Sequence, residues 1–188
     1  MTTAFTRIVI VLSLLRSAIG AQGTPPNTVI IGLALFLTYF VMQPTMDQAW
    51  LNGIVPMLDG SVSEITGISQ TAQPFRRFMM ANVRLEDLQF FSDISNAPSV
   101  QGSDDVAWRT LIPSFLIGEL RRAFEMGFLL YLPFMVIDLV VGSVLMSLGM
   151  MMLPPNAISL PFKLIFFVLV DGWRLVSGSL VQSFMPGG

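Results

Sequence analysis

Two long apolar blocks dominate the chain, and each is broken by the same corner, two prolines followed by an asparagine. The first block runs from Phe5 to Met42 and is interrupted by GAQGTPPN at 20–27; the second runs from Phe128 to Val181 and is interrupted at 149–156. Proline lacks an N–H and has a preset φ, so it opens a helix and blocks continuation from the preceding residues. TPPNTVIIGLALFLTYFV (24–41) and LPPNAISLPFKLIFFVLV (153–170) therefore predict turns at Pro25 and Pro26 and at Pro154 and Pro155, each followed by a helix. Each block reads as a helical hairpin. Beyond the three shared residues the two stretches differ, which leaves shared turn chemistry and internal duplication both open.

Most of the charged residues lie between the blocks, at 43–127. There Phe75, Phe78, Met79, Leu85 and Leu88 recur at helical spacing with Arg76, Arg77, Arg84, Glu86 and Asp87 offset from them, and Pro74 is placed to open that helix. A second amphipathic helix is predicted to start at Asp104 and Asp105, which can cap free N–H groups. It carries Trp108, Leu111, Ile112, Phe115 and Leu116 and runs on past Glu119. Residues 52–71 and 95–103 read as Gly/Ser/Asn-rich loops. The expected fold is all-α: a hydrophobic hairpin at 1–42, an amphipathic helical segment at 43–127 and a second hydrophobic hairpin at 128–188.

Only 12% of the residues are charged and 53% are hydrophobic. Soluble domains carry about 25% charge, so the pattern points to a membrane or a large apolar assembly. A bilayer span needs roughly 20 apolar residues. Residues 29–42 supply only about 21 Å of helix; the run from Ile8 to Leu15 is bounded by Arg7 and Arg16; and the later arms contain Asp138 and Lys163. An ion facing lipid costs roughly 2.5–3.5 kcal/mol on insertion scales. Such arms suit an oligomer whose subunits cover one another's polar groups; a simple four-span protein is the alternative. The first twenty residues also imitate a signal peptide ending at Ala18-Ile19-Gly20, although Arg16 argues against an uncharged core. Tyr39, Trp50 and Trp173 suit either interfacial anchoring or packing.

A net charge of −2 supplies no field for nucleic acid, and the absence of cysteine and histidine removes disulfides, Cys/His metal sites and histidine-activated nucleophiles. No GxxxxGK loop is present. Asp138 and Asp171, on opposite arms of the second hairpin, raise the possibility of an intramembrane carboxylate dyad. Counted from their shared turn they differ in height by about 6 Å, and the GxGD context of aspartyl proteases is absent, so both are read as buried structural charges. No catalytic residue and no metal ligand set is assigned.

GMMMLPPNAISLPFKLIFFVLVDGW (149–173), SLVQSF (179–184) and TPPNTVIIGLALFLTYFVM (24–42) resemble the FliP family of type III export-gate proteins, and the resemblance runs through the whole chain. The PFKL and SLVQSF elements lean towards the flagellar rather than the injectisome branch. Members usually begin with a cleaved signal and further apolar residues ahead of the stretch matched here. The resemblance implies a bacterial inner-membrane subunit of the flagellar basal body that passes unfolded export substrates. It implies a homo-oligomer in contact with FliQ and FliR, with FlhB and FlhA nearby, much of it on the periplasmic side, and no cofactor or enzymatic activity. By the same resemblance Met150, Met151 and Met152 line and seal the pore, and Glu119 pairs with Lys163 of a neighbouring copy. Methionine is unbranched and polarizable, so a ring of such side chains can close a hole and re-pack around a passing chain; a packing role in a membrane turn is the plainer reading. For Lys163, snorkelling to an interface and pairing with Asp138 inside one subunit are the alternatives. A small-solute channel or transporter subunit is the competing function, one that would work without FliQ and FliR.

Overall fold

The computed structural model describes residues 2–21, 23–95, 106–150 and 152–185. Among these the chain is helical with no strand, in agreement with the all-α expectation. The elements are α1 (Phe5–Ile19), α2 (Asn27–Ala49), a π-helical turn (Trp50–Ile54), α3 (Val55–Leu58), α4 (Glu64–Asn82), α5 (Leu85–Ile94), α6 (Trp108–Ser147), α7 (Pro155–Leu169) and α8 (Gly172–Gln182). Among the described residues two helices are long and apolar enough to cross a bilayer, Asn27–Leu58 with 32 residues and Trp108–Ser147 with 40. The bent pair α7–α8, broken by 62°, supplies a third if it counts as one span. The apolar run at 29–42 is thus only part of a longer helical stretch. Helix α2 runs on through Pro44 into polar sequence instead of ending with its apolar residues.

Contacts divide the chain into two compact units, Met1–Arg7 with Thr38–Arg122, and Ile8–Leu37 with Ala123–Gly188. The first has a core of Met79, Leu88, Leu111 and Phe115, with Phe78 meeting Phe115 edge-on at 6.0 Å. Helix α4 starts earlier than Pro74 suggests. Ser63 caps it by accepting from the Thr66 N–H at 3.3 Å, and Pro74 sits buried inside it. Residues 52–71, expected as a loop, hold the π-helical turn, α3 and the start of α4. Their glycines serve helix contacts rather than turns. A Cβ on Gly53 would lie 2.1 Å from Thr71 Oγ1 and 2.6 Å from its backbone nitrogen, and one on Gly67 would lie 2.8 Å from Met57 Cβ.

Helix α5 is held to α6 by Ser114, whose hydroxyl bonds the Asp87 carbonyl at 3.1 Å. The start of α6 is covered by the Arg76 guanidinium, 5.7 Å above the Trp108 ring. Asp104 and Asp105, expected to cap that helix, lie outside the described residues. Arg7 and Glu119 form a fully buried bidentate pair, with Arg7 Nε donating to Glu119 Oε2 at 2.9 Å and a second bond between Nη2 and Oε1.

In the second unit α1 is the most enclosed helix. Ile8, Val11, Leu12, Leu15, Ala18 and Ile19 are all buried, the i, i+3, i+4 spacing of one face. A Cβ on Gly127 would meet Leu14 Cδ1 at 2.2 Å, so the Leu14 side chain of α1 lies directly on the α6 backbone. The two Pro-Pro-Asn corners line one cleft of about 620 Å³ through Gly20, Ala21, Thr24, Pro154 and Asn156. The first corner is tied across by Arg16, which donates to the Asn27 side chain and, at 3.5 Å, to the Pro25 carbonyl. At the far end of α7, Asp171 adopts φ 50° and Gly172 packs beneath the Phe167 ring, where a Cβ would lie 2.2 Å from Cε2. Asparagine and aspartate tolerate this left-handed conformation better than other side chains, and the helix bends there.

Two outcomes test this packing. Gly53→Ala should destabilise the protein by about 1–3 kcal/mol through overpacking, whereas Gly142→Ala, with nothing within 4 Å of its new Cβ, should be neutral or stabilising; thermal unfolding in detergent compares them. Arg7→Met should cost about 3–5 kcal/mol by stranding Glu119, with most of that recovered in Arg7→Met/Glu119→Leu. A single variant as stable as the parent would show that the pair is not holding the unit together.

Candidate functional site: the methionine loop and the charges beside it

Helix α6 ends in a complete Schellman motif. The Met150 N–H reaches back to the Leu145 carbonyl at 3.0 Å and the Gly149 N–H to the Met146 carbonyl at 3.1 Å, with Gly149 at φ 70°. Only glycine takes this left-handed position without strain, so α6 stops there and the chain turns. Helix α7 then begins behind Pro154, which is extended at φ −68°, ψ 116°. The methionines are thus confined between a glycine stop and a proline start. Met152 is 97% exposed and Met150 47%; Met151 lies outside the described residues. Side chains this apolar, held out on a short loop, are free to meet another surface.

Below the loop a polar cluster joins three helices of the second unit. Lys163, 5% exposed, donates from Nζ to Asp138 Oδ2 at 2.6 Å and to the Ala18 carbonyl at 3.0 Å. Ser159 donates to the other oxygen, Asp138 Oδ1, at 2.5 Å. Ser159 and Lys163 are four residues apart on α7, so both face α6. Ala18 belongs to the last turn of α1, whose carbonyls have no partner further along the helix and carry its negative dipole end. The lysine therefore neutralises Asp138 and caps α1 with one ammonium.

These placements bear on each expected site residue. Glu119 and Lys163, expected to pair between copies, both have partners within their own chain: Arg7 for the first, Asp138 and Ala18 for the second. The sheltering that the sequence argument assigned to neighbouring copies is supplied for these ions by the chain itself. Asp138 is partly covered and engaged at both oxygens, whereas Asp171, expected as a buried charge, is exposed in the single chain because the bend turns it outward. An Asp138 held by Lys163 and Ser159 is a poor half of a proton-sharing dyad. Pro25 and Pro26 immediately precede α2; Pro154 precedes α7 and Pro155 is its first residue. Among the described residues no cluster of three or more His, Cys, Asp or Glu could hold a metal ion.

Sequence reasoning passed over three participants. Arg7 was noted only as the boundary of an apolar run, Ser159 not at all, and the Ala18 carbonyl has no signature in a sequence. The i, i+4 spacing of Ser159 and Lys163 was the available signal for a shared polar face.

Residues 1–180 match the FliP family model. The flagellar biosynthetic protein FliP of Caulobacter vibrioides is 56% identical over 100% of this chain and 70% of its own length. The FliP proteins of Rhizobium meliloti and Bacillus subtilis are 51% and 47% identical, over 98% and 97% of this chain and 76% and 82% of their own lengths. With this similarity along nearly its whole length and its long apolar helices, the chain belongs to the FliP family and is a membrane-embedded component of the flagellar protein-export apparatus, a transport component rather than an enzyme.

Proposed function

We propose that this chain is a pore-forming subunit of the flagellar export gate, and that its methionine loop is the gasket that closes the pore around unfolded substrates. The observation that carries this reading is the loop itself: Met152 stands 97% exposed between a Schellman stop and a proline start. A hydrophobic constriction resists water and ions by dewetting, and thioether side chains re-pack around varied shapes. Met151 is assigned to the same ring from its place in the sequence.

The large uncovered apolar faces support assembly with further subunits and lipid. Only 11% of the apolar window in α6 is covered within the chain, and Leu139, Val168 and Leu169 are all more than 70% exposed. We assign these faces to neighbouring copies, to FliQ and FliR, and to bilayer lipid, with FlhB and FlhA nearby. The site of action is the inner membrane, with much of the assembly on the periplasmic side, where residues 43–127 form the extramembrane segment. Pairing of Glu119 with Lys163 of a neighbouring copy requires assembly to uncover both groups, since each is enclosed within its own chain. An ammonium has three N–H groups and a carboxylate has room for further donors.

Replacing Met150, Met151 and Met152 by glycine in the assembled complex should leave the complex intact but make the bacterial membrane leak small ions. Export of flagellar substrates should continue or fall only in part. A glycine loop that stays as tight to ions as the methionine loop would overturn the gasket.

A further inference from the structure

Between α6 and α7 the contacts are largely apolar, including Phe134 edge-on to Phe166, with one polar cluster among them. Val140, Val144, Leu145, Phe162, Ile165 and Phe166 line an apolar cleft of about 610 Å³ between them. Apolar contact is non-directional, so surfaces of this kind do not by themselves fix how far one helix is slid along the other. A slide of one residue moves a helix by about 1.5 Å, and the loop joining these two helices carries the methionines. Directional contacts come from Asp138, whose two oxygens are taken separately by Ser159 and Lys163. These bonds cannot survive a residue's slide. The same ammonium reaches the Ala18 carbonyl, which refers the hairpin to the end of α1 and the first Pro-Pro-Asn corner. Gly20, at φ 76°, ends α1 beside that junction in a left-handed conformation that glycine takes without strain.

We propose that Asp138, Ser159 and Lys163, together with the Ala18 carbonyl, are positioning residues that set the height of the methionine loop by locking the axial register of α6, α7 and the end of α1. The register lock stands on the bonds described; its effect on sealing rests on the gasket reading above. The lock makes Asp138 matter as much as Lys163, although only Lys163 is assigned a contact with a neighbouring copy. It also makes Lys163→Arg a conservative change, since a guanidinium can serve the same carboxylate and carbonyl.

The test uses the complete complex, with ion leak expressed per assembled gate. The protein has no cysteine, so a pair introduced across the cleft, Val144→Cys with Ile158→Cys, reports register through its cross-linking yield. Lys163→Met and Asp138→Leu should each lower that yield and raise ion leak several-fold. Ser159→Ala should do so less, and Lys163→Arg should stay close to the parent. Unchanged cross-linking in assembled Lys163→Met and Asp138→Leu complexes would overturn the register lock. A changed yield with no leak, in a gate that does leak when its methionines are replaced, would overturn the link to sealing. If replacing the methionines causes no leak, the gasket reading has failed, and the cross-linking yield still decides the lock.

Discussion

Charge inside apolar helices constrains this protein more than any other feature, and the Arg7–Glu119 pair shows how the constraint is met. Both groups are completely removed from solvent, and two parallel bonds join the guanidinium fork to the carboxylate. Bidentate geometry of this kind holds two helices in one orientation as well as compensating their charges. Removing either ion would strand the other, which is why a buried pair is a commitment of the fold rather than an ornament. The same rule operates at Lys163 and Asp138, where one ammonium serves a carboxylate and a helix end at once. For Lys163 and Asp138, on arms whose outer faces are apolar, internal compensation matters because lipid offers an ion no alternative partner.

Once these ions are matched, much of what the long helices leave uncovered is apolar. The exposed faces of α2, α6 and α7 carry Phe36, Phe40, Leu139, Phe162, Val168 and Leu169, all more than half exposed. A soluble monomer rarely presents so much continuous apolar surface. The buried ions find partners within one chain, while the apolar surface is available to the bilayer and to other subunits.

Much of the fold was legible because helix periodicity and proline stops act over a few residues. The two Pro-Pro-Asn corners and the long second amphipathic helix are of this kind. The reading failed where a residue's usual local meaning was overridden by packing. Gly53 and Gly67 look like loop glycines, yet each is where another helix lies against the backbone. Pro74 looks like a helix start, yet Ser63 already supplies the cap eleven residues earlier. Asp171 was grouped with Asp138 because both interrupt apolar arms. The left-handed turn at Asp171 sends it out of the helix line while Asp138 stays against Ser159 and Lys163.

From the amino-acid order alone came the helical class, the corners, the methionine loop and the kinship with FliP proteins, since each is written in contiguous residues. Tertiary structure decided which carboxylate meets which cation. Arg7 finds Glu119 across 112 residues, and Lys163 finds the end of α1 across 145. Such meetings depend on how helices are rotated and slid against one another, and a rotation of one helix face redirects every ion on it. That choice is shared between apolar packing, such as Gly127 on Leu14 and Phe134 on Phe166, and the directional bonds of the ions, none of which any single stretch of sequence contains.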